Sequence, residues 1–242
     1  MYRLQLKSVR DQLLASLHQS RRVAALDVFF KHNAQIHIFA GAIRDAIAAR
    51  YESHEATPPR DFDIGVSGIE RKHFDYVLAD FGVKNRHGGY VLRERGLPNW
   101  DIWRSEETIG LRKTGIPFSL ENVLRSFNLN CNAIALDLRS GVFTDAGAIE
   151  SIRQKRVGFV ERSITHSAPT FAAKAMLMQL RNQYEASIPM EYFIRKHLDE
   201  ETLLYESCKI FPGLSIFPPN SVAVRSNPST MNRLNQSTTA NA

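Results

Sequence analysis

The chain has 242 residues, 43% hydrophobic and 23% charged, which allows a sizeable core and excludes a low-complexity or fibrous protein. Lys and Arg outnumber Asp and Glu by 31 to 25, and the excess is spread out rather than run together, so it suits a polyanionic partner such as RNA or a nucleoside triphosphate without requiring one. No apolar stretch reaches bilayer length, which argues against a membrane protein; Cys131 and Cys208 have no metal or disulfide spacing and no signal peptide precedes them, so a reducing cytoplasm is expected.

Leu13, Leu14, Leu17, Val23, Leu26 and Phe29 recur at helical spacing, predicting one or two helices over 4–32 and a helical N-terminal segment, 1–34. Gln35–Phe39 reads as a short strand, and a turn at Ala40-Gly41 leads into a helix through about Arg50. Residues 51–60 form a loop, in which Pro59 holds Pro58 extended and feeds the strand Asp61–Val66. A helix around 70–80 precedes three short strands, Val83–Asn85, Gly89–Arg93 and Trp100–Trp103, the first two joined by a His87-Gly88-Gly89 turn. Ser119 is placed to cap a short helix, Leu120–Arg125. Cys131–Leu138 and Val142–Thr144 read as a hairpin about Ser140-Gly141, with Cys131 a buried small hydrophobe in its first strand. A helix near 146–153 and a last strand, Val157–Val160, complete the mixed part.

From Pro169 the pattern turns helical, with Phe171, Ala172, Ala175 and Met178 on one helix, shorter helices near 190–198 and 200–208, and no further strand. The shift near 163–168 separates a head domain, 35–165, from a helical segment, 166–210. Residues 211–242, rich in Asn, Ser, Thr and Pro, read as a disordered tail. The fold class is α+β: a mixed sheet of about five strands with helices, followed by a short helical segment.

The chemistry concentrates in two places. In the strand Asp61–Val66, Asp61 and Asp63 are two residues apart and point to one face. Paired like charges are costly unless a cation neutralises them, and Mg²⁺ favours a few carboxylates together with phosphate oxygens and water. Asp101, between Trp100 and Ile102, also needs a partner. If its strand lies beside Asp61–Val66, three carboxylates meet and suit two Mg²⁺ ions; otherwise Asp101 forms a structural ion pair with Arg104 or Arg112. The Ala40-Gly41 turn lets backbone approach an anion at a helix N-terminus, with Arg44 one turn inside as a forked donor.

Ala40-Gly41-Ala42-Ile43-Arg44-Asp45 with Asp61-Phe62-Asp63 resembles the head-domain signature of class II tRNA nucleotidyltransferases and bacterial poly(A) polymerases, within the polymerase-β-type superfamily. Trp100-Asp101-Ile102 is similar to that family's third-carboxylate strand, and Leu129–Asp137 with Gly141–Asp145 is similar to its Asn-Ala strand and following hairpin. The likeness covers about residues 35–180. It implies an Mg²⁺-dependent enzyme moving an NMP from an NTP to a hydroxyl acceptor, with an RNA 3′ end foremost. Asp61, Asp63 and Asp101 would be catalytic and hold two Mg²⁺ ions; Ala40, Gly41, Arg44, Asp45, Arg104, Asn132 and Lys174 would bind the nucleotide.

Departures accompany the likeness. Ala40 replaces a glycine, and the family's Arg-Arg-Asp falls near Ser126, Phe127 and Asn128. Ser167-Ala168-Pro169-Thr170-Phe171 replaces the Glu-Asp-x-x-Arg that reads the base, and no counterpart of the family's RNA-gripping domains is expected in this sequence. Modification of a protein or small molecule, as in toxin or defence enzymes, is therefore an alternative, as is a non-catalytic nucleotide-binding protein. The histidines show no metal spacing, with His37 read as a strand residue and His166 as a loop residue. Trp100 and Trp103 are read as core or base-stacking residues, and Arg153, Lys155, Arg156 and Arg162 as a solvated rim or a phosphate-tracking patch.

Overall fold

Buried positions alternate with polar ones over the central strands of the computed structural model, which describes residues 2–53, 57–160 and 168–210. Two helices, α1 (Tyr2–His18) and α2 (Val23–Lys31), precede β1 (Gln35–Phe39), α3 (Gly41–Tyr51), β2 (Asp61–Ser67) and α4 (Arg71–Ala79). Then come β3 (Val83–Lys84), β4 (Tyr90–Leu92), β5 (Asn99–Arg104), α5 (Ile109–Thr114) and α6 (Leu120–Arg125). After these follow β6 (Ile134–Asp137), β7 (Phe143–Asp145), α7 (Ala148–Arg153) and β8 (Arg156–Val157). The last elements are α8 (Ala168–Asn182), β9 (Glu185–Ala186), α9 (Ile188–His197) and α10 (Glu200–Ile210).

Seven strands form one sheet in the order β3-β4-β5-β2-β1-β6-β7. Only the β2–β5 pair is parallel, because α4 and the β3–β4 hairpin carry the chain back before β5 begins. Strand alternation sorts the side chains onto two faces. Ile36, Ile38, Phe62, Ile64, Trp100 and Ile102 join Leu13, Phe29 and Phe74 from the helices in the main core. Phe39 and Ala135 on the other face meet Leu111, Val123 and Leu124 from α5 and α6 in a second, smaller cluster.

Several expectations need correction. The sheet has seven strands rather than about five, since β6 and β7 add to the edge beside β1. Cys131 is buried but lies in a 3₁₀ turn, Asn130–Asn132, and the strand starts only at Ile134. The expected strand Val157–Val160 shrinks to Arg156–Val157, with Phe159 bridging Leu129. A strand does follow residue 169: Glu185–Ala186 pairs in parallel with β8. Helix α5 has too few apolar positions to declare itself in sequence. Ser119 caps α6 as expected, its Oγ accepting from the Asn122 N–H at 3.1 Å. The boundary at 163–168 lies largely, and His166, Arg162 and the tail 211–242 wholly, outside the described residues. Among the described residues, no helix is long and apolar enough to cross a membrane.

Candidate functional site

In the parallel register of β2 and β5, Asp63 stands opposite Asp101, and Asp61 stands opposite Asn99. Alternation therefore places Asp61, Asp63 and Asp101 on one face, at the border of the smaller cluster. Burial, then the charges of Asp61 and Asp101, push the Asp63 carboxyl up to about 7, against the pull of Lys174 and Arg60. Burial also raises Asp101, whose Oδ1 accepts a hydrogen bond from Asn85 Nδ2 at 3.0 Å. Asp61 is turned toward the exposed Arg60. Among the described residues, no three acidic, His or Cys side chains are drawn together as they stand to hold one ion.

The ion-pair alternative for Asp101 does not apply to Arg104. That residue stands on the opposite face of β5 and pairs with Glu107 at 2.8 Å and Glu106 at 3.8 Å. Arg104 thus falls away from the carboxylates, contrary to its expected place beside a nucleotide. Trp100 is fully buried, with the Arg22 guanidinium 4.7 Å above its ring, which leaves no face for a base. Trp103 is half-buried and shares the carboxylate face. His37 is buried in β1, with Nε2 3.5 Å from Asp137.

The turn after β1 is tight. Ala40 adopts φ 54° and ψ −114°, a conformation natural to glycine, and its N–H donates to the Ile134 carbonyl. No side chain caps α3, and Gly41 and Ala42 of its first turn line a cavity, so its opening N–H groups are not taken by a side-chain cap. Arg44 is buried beneath them. Its Nε donates to Asp45 Oδ1 at 2.8 Å and its Nη1 to Asn132 Oδ1 at 2.6 Å. Burial opposes its charge, but Asp45, Cys131 and Tyr184 together outweigh it and its pKa stays above the ordinary value.

Two cavities flank the Asp63 carboxylate and share a wall of Ala40, Asp63, Leu129, Asn132 and Lys174. The first, about 280 Å³, includes Gly41, Asp45 and Asp61 and four cationic residues: Arg44, Arg60, Lys174 and Arg181. The second, about 330 Å³, holds Asp101. The expected residues Ala40, Gly41, Arg44, Asp45, Asn132 and Lys174 thus come together with Asp61 and Asp63, and Arg104 does not.

Sequence reasoning missed Arg60, Arg181 and Asn85. Lys174, Leu177, Met178 and Arg181 follow one helical face at i, i+3, i+4 and i+7, a signal that would have paired Arg181 with Lys174. Asn85 joins the β3–β4 turn to Asp101: its Oδ1 accepts from the His87 and Gly89 N–H groups while its Nδ2 holds the carboxylate. Phe171, at the place of the base-reading motif, is core, packed edge-on against Phe159. Arg153 pairs with Glu150 and Lys155 with Glu52, which makes these two part of a solvated rim.

No family model matches the chain, and neither does any curated protein. Its fold is the nucleotidyltransferase head fold found in CCA-adding enzymes. The apo form I of a CCA-adding enzyme superposes with a TM-score of 0.56 at 17% identity, over 77% of this chain and 45% of that one. The Thermotoga maritima CCA-adding enzyme complexed with tRNA also gives 0.56 at 17% identity, over 82% and 46%. A complex of a CCA-adding enzyme with CTP gives 0.55 at 17% identity, over 81% and 48%. The chain spans slightly less than half the length of each.

Proposed function

We propose that this protein is a divalent-cation-dependent nucleotidyltransferase, which moves a nucleoside monophosphate from an NTP to a hydroxyl acceptor and releases pyrophosphate. The carrying observation is the register of Asp63 opposite Asp101, with Asp61 on the same face, at the wall of a cavity that also receives the free end of α3. Solved CCA-adding enzymes with CTP and with ATP share the fold and support an NTP as substrate.

The donor set fits Mg²⁺: three hard carboxylates share a face, and the Asp63 carboxyl near 7 marks negative charge that the protein leaves incompletely compensated. Asp61, Asp63 and Asp101 would hold two ions, the exposed Arg60 pair being a weak competitor for Asp61. Bound there, the metal lowers the pKa of the acceptor hydroxyl and offsets charge on the departing pyrophosphate.

The chain's own residues do the positioning. The α3 N–H groups and Lys174 face the triphosphate, with Arg44 held rigid by Asp45 and Asn132 beneath the turn. Asn132 is a positioning residue, since its side-chain oxygen is taken by Arg44. The acceptor oxygen attacks the α-phosphorus in line as the bond to the β-phosphate breaks, a reaction governed by placement and charge complementarity. NTP use and the free thiols Cys131 and Cys208 both suit the cytoplasm.

Incubation with each α-labelled NTP, total RNA, total protein and a small-molecule extract, with Mg²⁺ or EDTA, tests the reading. Mg²⁺-dependent label in any acceptor supports it, and the labelled fraction separates an RNA 3′ end from the protein and small-molecule alternatives. A double variant, Asp61→Ala/Asp63→Ala, that transfers as well as the wild type refutes the site.

A further inference from the structure

Asp61 and Asp101 are held by different chemistry. Asp61 pairs with an exposed cation, Arg60, in a contact that water screens. Asp101 instead takes a hydrogen bond from a neutral amide: Asn85 Nδ2 donates to its Oδ1 at 3.0 Å. A guanidinium in that place would compete with a metal ion for the carboxylate charge. A neutral donor favours the ionised carboxylate and leaves its charge for the ion.

The direction of that amide is fixed by its other partners. Asn85 Oδ1 accepts from the His87 N–H at 2.9 Å and the Gly89 N–H at 3.1 Å, and only the oxygen of an amide can accept. The nitrogen must therefore point the other way, at Asp101. Two backbone hydrogen bonds close the same turn: the Asn85 N–H donates to the Gly89 carbonyl at 2.8 Å and the Gly88 N–H to the Asn85 carbonyl at 3.1 Å. Gly89 leaves the amide its room, since a Cβ there would lie 3.2 Å from Asn85 Nδ2 and 2.6 Å from the Ile102 carbonyl oxygen.

The turn is in turn braced from outside. Arg71, at the start of α4, donates from Nη2 to the Gly88 carbonyl at 2.8 Å, from Nε to Asp75 at 2.9 Å and from Nη1 to Glu107. Glu107 also accepts from Arg104, the last residue of β5, at 2.8 Å. The turn that carries Asn85 and the strand that carries Asp101 thus share one anchor, in addition to the antiparallel pairing of β4 with β5. An aspartate on a strand otherwise turns about two side-chain bonds. The amide restrains that motion before an ion arrives, so less order has to be imposed on binding.

We propose that Asn85 is the positioning residue of the carboxylate site, setting Asp101 for the divalent ion in advance from a turn braced by Arg71. This role rests on the nucleotidyltransferase reading and deepens it. Asn85 acts through Asp101 rather than on the substrate, so its removal is read first in metal affinity.

Equilibrium dialysis of the full chain provides the test, with Mn²⁺ alone as one probe and the α,β-methylene analogue of ATP in EDTA as the other. Asn85→Ala is expected to weaken Mn²⁺ binding about tenfold. Binding of the metal-free analogue, which depends on the cations of the first cavity, should stay within twofold. If Asn85→Ala fails to fold, Asn85→Ser keeps an oxygen to accept from the turn N–H groups but is too short to reach Asp101, and the same loss is expected. Unchanged Mn²⁺ affinity in the folded variant overturns the proposal. Equal weakening of Mn²⁺ and the analogue overturns it too, because it marks a residue that serves only the fold of the turn. A wild-type chain that binds no Mn²⁺ refutes the nucleotidyltransferase reading itself, whereas Mn²⁺ binding that wild type and variant share confines the failure to Asn85.

Discussion

Asp63 and Asp101 face each other across the one parallel strand pair of the main sheet, and burial raises the pKa of both carboxyls above their ordinary range. For Asp63 the folded value is about 7, against 3.8 for the free side chain. The folded state therefore binds more protons than the unfolded state between these values, so stability declines as pH rises from about 4 to 7. Asp63→Asn removes the charge. In EDTA at pH 8 the variant is expected to exceed the wild type by about 2 kcal/mol, since water reaching a half-buried carboxyl moderates the penalty. At pH 4 the two should coincide, while nucleotidyl transfer should be lost at every pH. Denaturant unfolding at the two pH values checks the first claim, and label transfer the second.

On the proposed reading, a cation held by these carboxylates would reverse that penalty. Because protons compete with metal for the same oxygens, Mg²⁺ should raise the melting temperature at pH 8 more than at pH 5.5. The shift should disappear in Asp61→Ala/Asp63→Ala and on adding EDTA. Calorimetric scans of wild type and variant across a Mg²⁺ series measure it; a pH-independent shift, or one that persists in the variant, contradicts these carboxylates as ligands.

Ala40 holds a positive φ of 54° at a place where only the absence of a side chain makes the conformation easy. Such a residue stores about 1–3 kcal/mol of strain, while glycine adds about 1 kcal/mol of unfolded-state entropy. Ala40→Gly is therefore expected to stabilise the protein by about 1 kcal/mol, the balance of those two terms. A higher denaturant midpoint at unchanged slope is the signature.

These relationships were unequally visible in sequence. Asp61 and Asp63 were legible because period-two alternation is a local rule, and the opening strand-turn-helix because apolar runs and small residues announce it. The approach of Asp101 depended on a parallel pairing across an intervening helix and hairpin, which the residues could suggest but not specify. Arg104 was misplaced for a related reason: its distance from Asp101 is three residues, and an odd spacing on a strand puts a side chain on the opposite face. The two-residue strands β8 and β9 carry no pattern at all, since a pair so short exists only through its tertiary contact. Asn85 was invisible because its role joins a turn to a strand sixteen residues away.

The fork of Arg44 spans Asp45 and Asn132, which no lysine can do. Arg44→Lys should raise KM for the NTP about tenfold and leave kcat within about threefold, the pattern of lost uniform binding. Asn132→Ala should shift KM in the same direction but less, because it removes only the support of one guanidinium nitrogen. Steady-state kinetics with saturating acceptor separate the two parameters. A fall in kcat alone for Arg44→Lys would instead place Arg44 at the transition state.

Gly65 occupies β2 one pleat beyond the carboxylates, where its backbone lies under the Phe39 ring. A Cβ there would sit 2.5 Å from Phe39 Cε2 and 2.5 Å from Ser105 Oγ, both in buried side chains. Phe39 cannot retreat freely, because Trp103 and Phe127 hold it on two sides. Gly65→Ala must therefore push the ring, and the ring pushes the wall of the second cavity. Overpacking of this kind costs about 1–3 kcal/mol, which a lowered denaturant midpoint would report.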